Sequence, residues 1–577
     1  MEGTGTVDWS LSLAIVGSGG AGAMTAGAML LDAAVRGGQF GVMTRSAGPQ
    51  IRGGEAAALI RLGNRPVESH DDSFDLLFAI DWKNFGSLAT EIPLRRDSLI
   101  IADTDGGPCP PELDAVGCKP VFLKMKDLLA QCPGGRINML ALGAVSALAG
   151  LPLESVLETV DRHIGGKGSK AVESSIRAIH KGADAVAQID FPKRMGSPPK
   201  PGKPRWLITG NEAIGLGALR AGIRFVAAYP ITPATDISEY MAPALVSLGG
   251  SLVQAEDELA SLNMIVGASF GGVPSLTATS GPGLALMSES IGMAVAAEVP
   301  IVVVDVMRCG PSTGIATKSE QSDLNLAVYG LHGDAPHVVV APNSIADCAA
   351  SCQWAVHLAE RLQTTAIVLS DQSLGQTQAV IEWNGDICLK AERMVHAGNG
   401  KPYKRYADTE SGISPMAVPG VKGAQYVGES LTHGERGSPS TSEANHIAQI
   451  AKRARKLDQF DFGDRWADIE GDGEVAIITW GSCSAPVREA IGRRGKNETP
   501  IRLVSLRLIA PAQPKKMIAA LEGVKRVLIV EQSHSGQLEH YLRAHFELTA
   551  EIAGYRRAGP LPFLPNEIRD RITEWLS

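Results

Sequence analysis

Aromatic residues are scarce in this chain, 5% of its 577 positions, and basic residues do not outnumber acidic ones: 54 Lys and Arg stand against 62 Asp and Glu. A formal charge of −8 and an isoelectric point near 5.9 give no electrostatic reason to expect a nucleic acid or an anionic membrane as partner. Long hydrophobic runs are also lacking. The most apolar stretch, Ile291 to Met307, is broken by Glu298, Pro300 and Asp305, and "MEGTGTVDWSLSLAIVG" has neither the basic start nor the apolar run of a signal peptide. A soluble, cytoplasmic protein is the expectation. The eight cysteines form no CxxC pair and no cluster with histidine at metal-ligand spacing, which argues against a metal centre or iron–sulfur cluster held by this chain alone. Cys348 and Cys352 stand one helical turn apart, as on a buried helix face.

Glycine, by contrast, is abundant at 64 residues, and Val/Ile/Ala runs alternate with helical patterns throughout, which points to the α/β class. The segment "LSLAIVGSGGAGAMTAGAMLLDAAVRGG" predicts a strand, a glycine turn and a helix, with a second strand at "FGVMTR", a βαβ opening. A stiff connector follows at "IDFPKRMGSPPKPGKPRW". Strands and helices then alternate to about residue 375, implying a parallel sheet covered on both faces. The pattern fades between Leu374 and Gly473, a length that suggests a functional or partner-bound segment. A last α/β unit begins at "EVAIITWG". The boundaries expected are 1–193, a Pro/Lys-rich linker 194–204, then 205–375, 376–473 and 474–577.

Gly17, Gly19 and Gly22 satisfy G-x-G-x-x-G between a strand and a helix, the context for a phosphate on backbone N–H groups. The nicotinamide reading also wants an acid at the end of the second strand, where this sequence has Arg45 and Ser46. Arg45 and Arg52 would suit another phosphorylated nucleotide; equally, the glycines only allow close packing of helix on strand.

In "FVAAYPITPATD", Pro230 and Pro233 hold Thr232 on a stiff turn at a strand end, the edge where open parallel sheets bind ligands. The alternative is a cap in which Thr232 or Thr235 starts a helix. "VQAEDELASLN" places Glu256, Asp257 and Glu258 at a strand-to-helix junction. "TATSGPGLALMSESIG" is a small-residue loop opening a helix, and "VDVMRCGPSTGIATKSEQSDL" ends a buried strand with Arg308, then glycines, hydroxyls and Lys318, an anion-binding composition.

With "HGDAPHVVVAPNS", "KRYADTESGISPMAVPG" and "VEQSHSGQLE", these stretches resemble the 2-oxoacid:ferredoxin oxidoreductases along nearly the whole chain, most narrowly the α subunit of 2-oxoglutarate:ferredoxin oxidoreductase with the γ domain fused at its N-terminus. The resemblance implies a γ domain, a thiamine-diphosphate-fold pyrimidine domain and a transketolase C-terminal-like domain. It implies that Glu256 hydrogen-bonds the aminopyrimidine of thiamine diphosphate, a role that needs a shielded carboxyl; that Pro230 and Gly281 line the cofactor; and that Thr232, Arg308, Thr317 and Lys318 contact the 2-oxoacid. Gly19, Arg45 and Arg52 become candidates for coenzyme A. Ala316 replaces the family's proline before Thr317 and Lys318, and "SLTHGERG" around His433 departs from its "GxEHDExG"; the first departure predicts a looser loop. No Mg²⁺-binding G-D-G follows a strand, since Gly471-Asp472-Gly473 precedes one and predicts a linker turn. The resemblance therefore implies a β subunit carrying Mg²⁺, the diphosphate site and a [4Fe–4S] cluster, with ferredoxin as electron acceptor and an α2β2 assembly. Other 2-oxoacids, a non-catalytic assembly subunit and an NADP-dependent dehydrogenase are the rival readings.

Overall fold

The computed structural model describes residues 9–48, 54–83, 85–199, 202–383, 388–398, 402–495 and 497–577. The chain divides into two units, Met1–Thr209 with Gln376–Asn384 and Phe563–Ser577, and Gly210–Gly375 with Gly385–Pro562. Both are α/β.

The first unit is built on an eight-stranded sheet with the order Val121–Leu123, Leu94–Asp103, Phe74–Ala79, Ser10–Ser18, Glu55–Gly63, Phe40–Ala47, Gln378–Glu382, Arg205–Thr209. Seven consecutive residues of Ser10–Ser18 are buried, as a strand covered on both faces requires. The expected strand–helix–strand opening is present, but its two strands are not neighbours. Glu55–Gly63 lies between them, antiparallel to both, so this is not the parallel βαβ of a dinucleotide fold. A second difference concerns the boundary near residue 205. Arg205–Thr209, expected to open the next domain, pairs with Gln378–Glu382, which in turn pairs with Phe40–Ala47. Trp206 and Trp383 stack at 4.7 Å between ring centroids, burying aromatic surface that neither strand would bury alone.

The second unit holds two sheets. In the seven-stranded sheet the order is Leu508–Ala510, Val338–Val340, Thr365–Asp371, Ile301–Met307, Ser275–Thr279, Phe225–Ala228, Ser251–Gln254, and every pairing is parallel except that of Leu508–Ala510. Ile301–Met307 and Thr365–Asp371 are buried at every residue, which is why they read as unbroken apolar runs. The other sheet has five strands, Ala467–Glu470, Ile501–Leu506, Val475–Trp480, Arg526–Glu531 and Glu551–Arg556, parallel but for the first. Gly471-Asp472-Gly473 forms the turn between Ala467–Glu470 and Val475–Trp480.

The weakly patterned stretch after residue 376 is held by charge. Arg393 makes a two-pronged ion pair with buried Glu360 at 2.7 and 2.8 Å. Glu298, fully buried, receives Lys452 Nζ at 2.6 Å and Lys456 Nζ at 2.5 Å, while Arg405 donates to its backbone carbonyl at 2.7 Å. His433 is buried too, its ring nitrogens 3.1 Å from Gly434 O and 3.2 Å from Ala296 O, so the altered motif around it serves packing in this chain. Cys348 and Cys352 are buried on the helix Ile345–Leu362, and all eight cysteines are free. Among the described residues no group of His, Cys, Asp and Glu could hold a metal ion, and no helix is long and apolar enough to cross a membrane.

Candidate active site

At the C-terminal edge of the seven-stranded sheet, the strand Phe225–Ala228 runs into Tyr229, Pro230, Ile231, Thr232 and Pro233, and then into the helix Thr235–Ser247. Three successive carbonyls of this turn are each held by a side chain. Thr235 Oγ1 donates to Ile231 O at 3.1 Å, Arg308 Nη1 to Thr232 O at 2.6 Å, and Asn211 Nδ2 to Pro233 O at 2.8 Å. A bond from a charged donor contributes about 1.5–3 kcal/mol, so Arg308 is the strongest of the three. Thr235 closes the helix start; the Thr232 hydroxyl takes no part in these bonds, and the residue is exposed, as is Pro230. The turn is thus immobilised through its backbone with Thr232 presented outward.

Arg308 follows the strand Ile301–Met307 and is 7% exposed. Burial pushes its guanidinium below the usual range, partly offset by the charge of Asp323. Its direct bond is to the protein backbone, so it positions the turn whatever else it binds. The hairpin beyond it is tied by Cys309 N to Lys318 O at 2.9 Å and Ile315 N to Cys309 O at 3.0 Å. Glu320 fastens its base, accepting from Gly310 N, Ser322 Oγ and Gly559 N at 3.2, 3.2 and 3.0 Å. These bonds hold the loop that Ala316 was expected to loosen. Thr317 and Lys318 lie half-buried on its returning limb.

The acidic triplet falls differently from expectation. Glu256 is exposed, so within this chain it lacks the shielding its assigned role requires. Asp257 is the N-cap of the helix Glu258–Phe270, accepting from Ala260 N at 2.6 Å. Glu258 is the buried member, 7% exposed. It packs on Gly283, where an added Cβ would stand 2.8 Å from Glu258 Oε1; at Gly281 it would stand 2.5 Å from Asp323 Oδ2. Only glycine at these two places lets both carboxyl side chains close on the turn. Ser280 Oγ, fully buried beside them, has no partner. A legible signal was available: Glu258, Ser261, Leu262 and Ile265 recur at helical spacing and are all buried.

In the first unit the glycine turn is occupied by its own chain. Ser18 N and Oγ donate to the Asp81 carboxylate at 2.9 and 2.7 Å, Gly19 N to Gly54 O at 2.6 Å, and Ala21 N to Ser18 O at 2.9 Å. The N–H groups of Ser18, Gly19 and Ala21 are taken, and Asp81 adds a repelling charge. Gly19 therefore does not serve as a phosphate contact in this conformation. Gly17 lies within its strand, and Gly22, at φ 86°, caps the helix Ala23–Arg36. Arg45 is exposed on Phe40–Ala47, and Arg52 lies outside the described residues.

A parallel sheet thus carries, at its C-terminal edge, a buried carboxyl over a glycine turn and an arginine-held proline turn. Residues 216–453 match the family model "Pyruvate flavodoxin/ferredoxin oxidoreductase, thiamine diP-bdg", and residues 12–185 match "Pyruvate ferredoxin/flavodoxin oxidoreductase". The chain is 31% identical over 474 residues to the 2-oxoacid:ferredoxin oxidoreductase 2 subunit alpha of Aeropyrum pernix, covering 75% of this chain and 72% of that one. It is 32% identical to the 2-oxoglutarate synthase subunit KorA of Methanothermobacter marburgensis, over 64% of this chain and 98% of that one. A solved 2-oxoglutarate:ferredoxin oxidoreductase from Magnetococcus marinus, with 2-oxoglutarate, coenzyme A and succinyl-CoA bound, superposes with a TM-score of 0.90 and 35% identity over 98% of this chain and 100% of that one. The chain belongs to the 2-oxoacid:ferredoxin oxidoreductase α-subunit family.

Proposed function

We propose that this chain is the α subunit of an enzyme that oxidatively decarboxylates 2-oxoglutarate with coenzyme A, yielding succinyl-CoA and CO₂ and reducing ferredoxin. The observation that carries the reading is the buried Glu258 carboxyl packed on the Gly281–Gly283 turn, with the Thr232 turn fixed on the same sheet edge by Arg308. The shielded acid and the unpartnered Ser280 hydroxyl fit an aminopyrimidine, and in this reading Glu258, in place of Glu256, holds the proton shared with that ring. Gly281 and Pro230 line the cofactor. Thiamine diphosphate supplies the carbon nucleophile for the 2-oxo carbonyl.

The chain's own residues then orient and shield. Thr232 meets the reacting end of the acid from a turn that cannot shift, which lowers the entropy cost of alignment. Arg308 holds that turn and offers positive charge to the substrate carboxylate. Thr317 and Lys318, on a hairpin tied at both limbs, suit a second carboxylate and so a dicarboxylic substrate. Mg²⁺, the diphosphate contacts and a [4Fe–4S] cluster belong in this reading to a β subunit in an α2β2 enzyme, as the resemblance to the family implies. Arg45 stays a candidate coenzyme A contact.

The Aeropyrum relative's broader name supports a second reading, the same chemistry on several 2-oxoacids. The test is coenzyme-A-dependent viologen reduction by the native complex, supplied with thiamine diphosphate and Mg²⁺, across a panel of 2-oxoacids. Strong preference for 2-oxoglutarate is expected. Comparable turnover of pyruvate or branched-chain acids removes the roles given to Thr317 and Lys318, and no turnover of any acid by an intact iron–sulfur complex favours an assembly subunit.

A further inference from the structure

The hairpin that carries Thr317 and Lys318 is followed at once by three buried polar residues, Ser319, Glu320 and Gln321. Ser319 Oγ donates to Asp371 Oδ1 at 3.2 Å and accepts from Ser373 N at 3.2 Å, and the other oxygen of Asp371 accepts from Ser482 N at 3.2 Å. Glu320 accepts from Gly559 N at 3.0 Å. Gln321 is the most fully engaged of the three. Its Nε2 donates to Trp480 O at 2.9 Å, its Oε1 accepts from Gln532 N at 3.0 Å and Cys483 Sγ at 3.2 Å, and its backbone N donates to Gln532 O at 2.8 Å. Trp480 ends the strand Val475–Trp480 and Gln532 follows Arg526–Glu531, parallel neighbours in the five-stranded sheet. One side chain thus closes over the ends of both strands. A side-chain amide is neutral and both donates and accepts, as a carbonyl on one strand and an N–H on the next require. Glycine makes the close approach feasible: at Gly481, φ 59°, an added Cβ would stand 2.6 Å from Gln321 Nε2, and at Gly559 2.6 Å from Cys309 Sγ.

We propose that Gln321, together with Ser319 and Glu320, is a positioning residue through which the five-stranded sheet orients the hairpin Cys309–Lys318 and so sets the preference for a dicarboxylic 2-oxoacid. The hairpin's own bonds, Cys309 N to Lys318 O and Ile315 N to Cys309 O, fix its shape. Its residues 311–315 are exposed, so its orientation is set at the base, where Lys318 runs directly into Ser319. There Cys309 Sγ donates to Ser319 O at 3.2 Å and Gly310 N to Glu320 at 3.2 Å, so both limbs are tied to the clamped residues. Gln537, at the start of the helix Gln537–His545, adds a second amide tie just beyond, accepting from Asn325 N at 2.8 Å and donating to Ser322 O at 2.7 Å. The Thr232 turn is held separately, by Arg308, Asn211 and Thr235. Loosening the clamp therefore frees the groups that meet a second carboxylate and spares the turn that meets the reacting end.

The effect on substrate preference rests on the proposed function; the clamp on the hairpin does not, and the experiment separates them. Native complexes carrying Gln321→Leu or Ser319→Ala are compared with the unmodified complex and with Arg502→Met. The last removes bonds to Ala520 O at 2.6 Å and Glu522 O at 3.2 Å at the opposite, N-terminal ends of the same strands. Hydrogen–deuterium exchange reads the hairpin, urea unfolding the stability, and steady-state kinetics the preference for 2-oxoglutarate over pyruvate. In Gln321→Leu the hairpin amides are expected to exchange about tenfold faster, with the Thr232 turn unchanged. The kcat/KM for 2-oxoglutarate is expected to fall about tenfold, chiefly through KM, while that for pyruvate stays within about twofold. Ser319→Ala, which loses the bonds to Asp371 and Ser373, moves exchange and KM the same way by about threefold. Arg502→Met lowers the unfolding midpoint and leaves hairpin exchange and preference as they were. Unchanged hairpin exchange in folded Gln321→Leu, or an equal acceleration in Arg502→Met, overturns the clamp; equal loss of kcat/KM for both acids overturns the role in preference. Should Gln321→Leu not fold, Ser319→Ala decides by the same criteria. If the unmodified complex turns over no 2-oxoacid, the function fails, and the exchange results still decide the clamp.

Discussion

Where the helix Glu258–Phe270 begins, three acidic residues stand in a row, and the helical turn sends them to different surroundings. Asp257 caps the helix, Glu256 faces solvent, and Glu258 shares the inward face with Leu262 and Ile265. A carboxyl that holds a proton against a ring nitrogen works where water is excluded. Glu258→Gln is therefore expected to lower kcat by about 100-fold or more in the native complex with the fold intact, and Glu256→Gln to change it by less than about twofold. Circular dichroism checks the fold and viologen reduction the rate. Loss of activity in Glu256→Gln alone would return the role to Glu256 and imply that a partner covers it. This pair marks the limit of reading residues by spacing. The triplet was legible as a site, but its inward member is picked out only once helical phase is followed from Glu258 rather than from the preceding strand.

At the scale of elements, the helix Glu443–Asp458 is tied to the sheet by two lysines converging on one carboxylate. Lys452 and Lys456 both reach Glu298, and burial lowers Lys456 to about 7, opposed by the attraction of Glu298 and reinforced by the charge of Lys452. The unfolded chain keeps this lysine protonated up to about 10.4. Between about pH 7 and 10 the unfolded state thus binds more protons than the native state, and stability from this group rises with pH. Lys456→Met is expected to abolish that rise and to stabilise the protein at neutral pH, measured by denaturant unfolding across the range. Glu298→Ala, which leaves buried Lys452 and Lys456 without their shared acceptor, should cost roughly 3–5 kcal/mol. An unchanged pH dependence in Lys456→Met would mean that the second lysine is charged and fully compensated. None of this was legible beforehand: Glu298 read only as an interruption of an apolar run, and its partners lie more than a hundred residues further along the chain.

On the scale of the whole molecule, composition and periodicity revealed the α/β class, the parallel sheet and the last α/β unit, since each depends on patterns within a few dozen residues. The makeup of the first unit was not legible, because its sheet is completed by strands distant in sequence. Arg205–Thr209 and Gln378–Glu382 supply its last two strands, Arg205 lies over the Phe40 ring at 3.8 Å and donates to Gly38 O at 2.6 Å, and Asn566 N donates to Asp72 at 2.8 Å. A fragment ending at residue 198, close to the boundary suggested by the proline-rich connector, would retain six strands and leave Phe40–Ala47 as an open edge. Such a fragment is expected to self-associate or to unfold at markedly lower denaturant than the full chain, as followed by size-exclusion chromatography and urea titration. A monomeric fragment with a cooperative transition matching the full chain would show that the later strands decorate this unit and do not complete it.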